Sequence, residues 1–497
     1  MATTELLEET EAKKTSITLP YKKLYIDGDL VDAGSGERRP IIWPHNGQPV
    51  AEVAWANGAD ALRALKSTEE GFHVWSRTPL QERIQWMEKL AAEVTKEAEA
   101  LGECVMLEMG KPWNAGVGDA NSLVKCLRYF AELAKHQREE IIPDLEGTHH
   151  HLITRQPVGP VVALLAWNFP LLNIGCKVAP SLASGCSIII RPSSSSPLSA
   201  LAFGEICHRL KFPRGVINVL CGDTVEVGET LVKSRIPRMV TMIGSSEAGK
   251  KIVGLSNTSI KKFSLELGGN APAIIFADAD IKKAAEQLVA LKFGNAGQVC
   301  VAPNRVFVHK QVYDAFVAEA KALAAKLTLG SGRGVKADSG PLIHATARDR
   351  VDVLVKKALQ AGAKIVCGGS PPADASLSKG FYYLPTILTE VKNDMDVACQ
   401  EIFGPVMPII RFESEEEVIR WANDTEYGLA AYIFTNDLKK ATRIPELLDF
   451  GTVTVNGPIF RPYLPHGGTK ESGIGKDCSY LGLEEFYYIR RVSIPKK

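Results

Sequence analysis

Residues 159–192 read GPVVALLAWNFPLLNIGCKVAPSLASGCSIIIRP. The apolar run from Val161 to Trp167 is short and bounded by turn formers, which is how a buried strand reads. NIGCKVAPSLASG follows as a helix ended by Gly185, a residue suited to the left-handed position after a last turn. CSIIIRP is a second buried strand. Downstream the alternation continues, with PLSALAFGEICHRLKF and VGETLVKS as helices and GVINVLCG and RMVTMIG as strands. Buried strands separated by helices predict right-handed crossovers and a mostly parallel sheet, hence an α/β fold.

Upstream, LYIDGDLVDA reads as two strands around an Asp-Gly turn, and ADALRALKSTEEGFHVW and LQERIQWMEKLAAEVTKEAEALG as amphipathic helices. Beyond residue 268 a second α/β series begins. APAIIFA, RVFVH, KIVCGG and MPIIRF are its strands, and IKKAAEQLVALKFG and VYDAFVAEAKALAAKL its helices. The C-terminal EEFYYIRRVSIPKK is β-prone and would leave an unpaired edge unless it meets a partner strand.

The chain of 497 residues has 45% hydrophobic and 23% charged residues and a net charge of +1. That balance gives no case for nucleic acid or an anionic membrane surface as partner. The N-terminal MATTELLEETEAKKTS is acidic and lacks the apolar core of a signal peptide. No stretch approaches the ~18 uninterrupted apolar residues of a membrane helix. Ten cysteines without CxxC or zinc spacing read as reduced thiols, so the expected compartment is the cytoplasm.

Several residues have a context that suits chemistry. Cys300 lies in the loop FGNAGQVCVAPNR. A thiolate there can attack an aldehyde carbonyl and hold the adduct toward a hydride acceptor, leaving a readily hydrolysed thioester. Glu266, in SLELGGNAP, can deprotonate the hydrolytic water, and Gly268 and Gly269 permit close approach beside it. Asn168, after the first buried strand, can donate to an oxyanion. Gly244, Ser245 and Gly249 in VTMIGSSEAGK stand between strand and helix, where free N–H groups suit a pyrophosphate. Arg191 and Ser194 end a parallel strand where a cofactor ribose is often read; an arginine there admits a 2′-phosphate. The GxGxG of LGSGRG follows an amphipathic helix and reads as a surface loop. His149, His150 and His151 would alternate between strand faces and cannot easily converge on one ion, so no metal is expected.

Together AWNFP, KVAPSLASG, RPSSSSPLS, IGSSEAGK, LELGGNAP, GNAGQVC, QEIFGPV, YGLAA, VNGP and HGGTKESGIGK resemble, in order and spacing, the aldehyde dehydrogenase superfamily. The resemblance implies a Rossmann-like cofactor domain, a second α/β catalytic domain and a small β oligomerisation element. Their expected bounds are 1–139 with 158–267, 268–478, and 140–157 with 479–497. It implies Cys300 as nucleophile, Glu266 as general base and Asn168 as oxyanion donor. Lys177 would support the nucleophile region and cofactor ribose. Trp167, Ser245, Leu267, Glu401 and Phe403 would contact the cofactor, which is NAD or NADP. Arg191 and Ser194 replace a common lysine and a common glutamate, and both changes open the site to NADP. The substrate implied is a small aldehyde, with a polar or anionic semialdehyde such as succinate semialdehyde first and an amino-aldehyde such as betaine aldehyde second. Arg461 and His466 would meet an anionic tail, and Asn173 and Cys176 would line the funnel. A CoA-acylating member would usually lack the base at position 266. A homodimer or homotetramer is expected.

Overall fold

The computed structural model describes residues 19–496; the acidic tail read above lies outside them. Two large sheets carry the structure. The first runs, edge to edge, through Asp29–Val31, Leu24–Ile26, Ile217–Val219, Ile188–Arg191, Val161–Leu164, Met239–Ile243, Lys262–Glu266 and Gly473–Ile474. Its five central strands are parallel. Helices cover both faces, so Val161–Leu164 and Ile188–Arg191 are buried along their whole length. From Val161–Leu164 the chain winds out to Ile217–Val219, then returns to the other side and lays down Met239–Ile243. That reversal opens a crevice at the carboxyl ends of Val161–Leu164 and Met239–Ile243, where α/β sheets bind ligands. Asn168, Arg191, Gly244 and Glu266 all end or follow strands at this one edge.

The helix Pro170–Ser184 starts with proline in its first turn and ends at Gly185, whose φ of 95° is left-handed, as its sequence predicts.

Residues 267–270 carry the chain from the first sheet to the second. The latter runs Lys364–Cys367, Thr386–Thr389, Val406–Phe412, Pro303–His309, Ala271–Ile275, Ala430–Phe434 and Thr452–Val455. All its pairs are parallel except the first. Alternate residues feed two cores: Ile274, Phe307, Ile410 and Ile433 face one way, and Ala273, Ile275, Val306 and Ile409 the other. Late in the chain, Gly473–Ile474 returns to the first sheet, pairing Leu265 with Ile474 and Glu266 with Gly473. The C-terminal segment is thereby brought against the end of the Glu266 strand.

A third, antiparallel sheet joins Glu140–Ile142, His149–Pro157 and Tyr487–Pro495. The C-terminal strand thus has the partner its sequence called for. Within it His149 and His151 stack on one face, ring centroids 5.9 Å apart. Among the described residues, no helix is long and apolar enough to cross a membrane.

Candidate active site

Three residues from distant parts of the chain meet at the crevice. Glu266 closes the strand Lys262–Glu266, and Asn168 stands just past Val161–Leu164. Cys300 follows a sharp turn after the helix Ile281–Phe293. In that turn Asn295, Ala296 and Gly297 have φ of 52°, 53° and 71°. Left-handed backbone is unfavourable for alanine, so the surroundings must impose it. The buried Gln298 side chain does so. It donates to Asn295 O and Pro341 O and accepts from Ile343 N–H, while Ser339 Oγ accepts from Ala296 N–H. A Cβ on Gly269 would stand 2.3 Å from Cys300 O, so only glycine lets residue 269 lie against the Cys300 backbone.

Asn168 is oriented by its neighbours. Its Nδ2 donates to Gln298 O at 3.2 Å, and its Oδ1 accepts from Asn173 Nδ2 at 3.5 Å. The amide therefore keeps an N–H side toward the Cys300 loop.

Two cavities meet at these residues. The first, about 440 Å³, opens along the crevice. Trp167, Gly244, Ser245, Leu267, Glu401 and Phe403, all named above as candidate cofactor contacts, line it, and so does Arg350, which the sequence does not single out. The second, about 260 Å³, lies on the other side of Cys300 and is mostly apolar, with Phe169, Leu172, Leu291, Val299, Val301 and Phe460 in its wall. Asn168, Ile243, Glu266 and Cys300 belong to both.

The first cavity has the parts a dinucleotide needs. Ser245 caps the helix Ser246–Leu255, its Oγ accepting from Ala248 N–H, which leaves earlier N–H groups of the first turn open to an anion. Glu401 Oε1 accepts from Gly269 N–H at 2.9 Å. Burial holds the Glu401 carboxyl up at about 7, against the pull of Gly269 N–H, Arg350 and Lys292. The Trp167 and Phe403 rings meet edge to face at 5.3 Å.

Not every expected residue reaches a cavity wall. Lys177 is fully buried and its Nζ lies 2.5 Å from Oδ1 of Asp477, which lines the second cavity. Burial lifts the Asp477 carboxyl to about 7 despite that lysine. Arg191 turns away from the first cavity, donating from Nη2 to Gly222 O and Thr224 Oγ1, and leaves a buried Nε without a partner. Ser194 is exposed beside it. Gly249 packs under Leu267, and a Cβ there would lie 2.6 Å from Leu267 Cδ1.

His466 lines the second cavity and also contacts Glu266. Its Nε2 lies 3.1 Å from Glu266 Oε2. Its ring nitrogen, the Glu266 carboxylate and the Cys300 sulfur all lie within 4.8 Å of one another. Burial disfavours the imidazolium, yet the Glu266 charge and the Cys300 sulfur outweigh it and hold the His466 pKa well above its ordinary value. Burial pushes the Cys300 thiol up, with Glu266 and Glu401 adding to the rise and His466 opposing it. Asn173 and Cys176 line the cavity as expected, whereas Arg461 is exposed and donates to Phe460 O. Neither Asp477 nor the Glu266–His466 contact was read from the sequence. Both lie in or beside HGGTKESGIGK, and the fold alone shows that this segment folds back on the Glu266 strand.

Residues 30–492 match the model of the Aldehyde dehydrogenase family. The chain is 39% identical to the mitochondrial succinate-semialdehyde dehydrogenase of Arabidopsis thaliana, covering 94% of this chain and 88% of that protein. It is 36% identical to the NADP(+) succinate-semialdehyde dehydrogenase of Escherichia coli, over 94% of this chain and 97% of the relative. A solved betaine aldehyde dehydrogenase of Staphylococcus aureus in complex with NAD+ superposes with a TM-score of 0.92 at 33% identity, over 95% of this chain and 94% of the other. The chain belongs to the aldehyde dehydrogenase family and is an NAD(P)-dependent oxidoreductase that takes an aldehyde to the acid.

Proposed function

We propose that Cys300 is the nucleophile of this oxidation, with Asn168 as oxyanion donor and Glu266 as general base. The observation that carries the reading is the meeting of residues 168, 266 and 300 where the two cavities join. Cys300 thiolate adds to the aldehyde carbonyl, and Asn168 Nδ2 with the Cys300 N–H stabilises the oxyanion. A nicotinamide bound in the first cavity would supply the hydride acceptor. The thioester left on Cys300 is hydrolysed by water that Glu266 deprotonates. Glu266 Oε1 is buried without a hydrogen-bond partner, so one carboxylate oxygen is free for that proton. His466 is a positioning residue. It holds the other oxygen and places a positive charge beside both Glu266 and Cys300. A carboxylate so placed supports hydrolysis by water over transfer to CoA.

In the first cavity the open first turn at Ser245 would take the pyrophosphate and Glu401 would accept from ribose hydroxyls. Ser194, exposed at the next strand end with no carboxylate of its own, supports acceptance of NADP beside NAD. The aldehyde enters from the second cavity. The two carboxylates in its wall, Glu266 and Asp477, are each matched by a cation, His466 and Lys177. The interior thus suits an uncharged stem, with Arg461 beside Phe460 available to a carboxylate at the mouth. This arrangement supports a short semialdehyde. An amino-aldehyde is the second reading, favoured by the aromatic Phe460 in the wall, a residue type that attracts a cationic tail.

The test is a panel of aldehydes assayed with NAD+ and with NADP+. Succinate or glutarate semialdehyde should lead, and Arg461→Ala should raise KM for them and not for propanal. A strong preference for long apolar aldehydes overturns the semialdehyde reading, and a lead for amino-aldehydes favours the second.

The antiparallel sheet is the proposed oligomerisation element. Ile141, Ile142, Leu145, Ile489 and Ile494 are exposed on or beside it, an apolar edge that a second copy would cover. A dimer or tetramer in light scattering, reduced to monomer by Ile489→Asp, supports this; a monomeric parent opposes it. All ten cysteines are free, which supports a reducing, cytoplasmic setting.

A further inference from the structure

We propose that Cys300, His466 and Glu266 form a capture site for a borderline-soft divalent cation of the Zn2+ class, and that its occupation switches the dehydrogenase off. The inference rests on the catalytic reading above only for its consequence; the site stands on geometry. Among the described residues, this is the one group of three or more histidine, cysteine or acidic side chains whose donor atoms all lie within 4.8 Å of one another. In a tetrahedral zinc site with bonds of ~2.0–2.3 Å, neighbouring donors are roughly 3.5 Å apart. His466 Nε2 and Glu266 Oε2, at 3.1 Å, already meet that spacing, and the sulfur, within 4.8 Å of both, needs to close by no more than about 1.3 Å.

The donor set is one sulfur, one nitrogen and one oxygen, a mixture zinc accepts and hard cations such as Mg2+ do not. Three protein donors leave a fourth position, and both cavities open onto it.

Two further observations point to a ligand. Glu266 is 4% exposed, and its Oε1 is buried with no hydrogen-bond partner. An acceptor left open in that way is a vacant electron pair beside the other two donors. The histidine is also fixed in place. The His466 backbone N–H donates to Asp477 O, and the Asp477 backbone N–H donates back to His466 O. The imidazole further packs edge to face on Phe460 at 5.3 Å. A site held by such contacts loses little freedom on binding.

Binding is a coordination step with no change of oxidation state. The Cys300 thiol and the His466 imidazolium each release a proton to solvent, the cation gives up bound waters, and the Glu266 carboxylate moves from His466 to the cation. The thiolate is then tied up and cannot reach an aldehyde.

The test uses the full chain, freed of metal with a chelator and titrated with Zn2+ against a chromophoric competitor. One Zn2+ per chain is expected, with X-ray absorption showing one sulfur among nitrogen and oxygen ligands. Iodoacetamide labelling of Cys300 should fall in step with occupancy, as should NAD(P)H production. His466→Phe and Glu266→Gln should each weaken binding by at least about 10-fold, since even groups behind a ligand commonly matter that much. Cys300→Ser should lose the high-affinity site, and circular dichroism confirms that each variant folds. Retention of stoichiometric zinc in Cys300→Ser would place the ion elsewhere, such as the buried Cys176–Cys478 pair, and would overturn the proposal. Unchanged affinity in His466→Phe would overturn it too. Failure of the catalytic reading looks different: Cys300→Ala would keep its turnover in metal-free buffer, whatever zinc does.

Discussion

Glu266 and His466 are joined across 200 residues of sequence by a 3.1 Å contact between Oε2 and Nε2, while Glu266 Oε1 stays buried without a partner. One carboxylate thus has one oxygen tied and one free. The tied oxygen sets its position; the free one suits proton transfer from water. Consequences follow for each residue around it.

Asn168 Nδ2 is placed by the bonds to Gln298 O and from Asn173. Asn168→Ala should lower kcat by ~10²–10³, the usual loss for one oxyanion donor. Alkylation of Cys300 by iodoacetamide should be unaffected, because its charged neighbours remain. Equal losses in both assays would mean that Asn168 acts by holding the loop in place.

The Cys300 thiol is pushed up by burial and eased down by His466. Reactive thiolate should therefore appear only as pH rises beyond the ordinary thiol range. In His466→Phe the inflection should move higher still, because the opposing positive charge is gone. The measurement is the iodoacetamide rate against pH, made in a Cys399→Ser background to remove the exposed thiol. An inflection that stays put or falls contradicts the assigned role of His466.

Ser194 is exposed at the end of the strand that carries Arg191. Ser194→Glu should set a carboxylate against the 2′-phosphate, and like charges at close range cost several kcal/mol. NADP+ turnover should fall at least about 10-fold relative to NAD+. An unchanged ratio would mean that the ribose is read elsewhere.

Gly269 leaves no room for a side chain, since a Cβ would stand 2.3 Å from Cys300 O. Gly269→Ala should lower stability by ~1–3 kcal/mol and displace the nucleophile. Thermal melting and turnover should both fall; wild-type values in both would show that the loop yields freely.

Much of this arrangement could be read from the chain because local signals agree with it. The segment from Val161 to Ile243 has buried strands, a proline-started and glycine-ended helix and short turns, and its sheet follows. The strands Thr386–Thr389, Ala430–Phe434 and Thr452–Val455 were not read, being short and lacking a period that separates them from loop. Asn168, Glu266 and Cys300 stand out in the sequence because each lies in or beside a glycine- or proline-marked turn. Lys177, which the resemblance sets in support of the nucleophile region and the cofactor ribose, pairs with Asp477, a partner no local pattern points to. The sequence offers His466 only as a receptor for an anionic tail, because no local pattern shows that the following strand Gly473–Ile474 returns to Glu266. Contacts between a strand end and a segment 200 residues later are set by the whole fold.

The most direct measurement is rapid-quench mass spectrometry of Glu266→Gln mixed with aldehyde and NAD(P)+. With the base removed, the expected result is one equivalent of NAD(P)H and an acyl mass on the peptide carrying Cys300, formed faster than it is hydrolysed. Continued turnover at the parent rate with no acyl group on that peptide, or an acyl group on a different cysteine, would contradict covalent catalysis by Cys300.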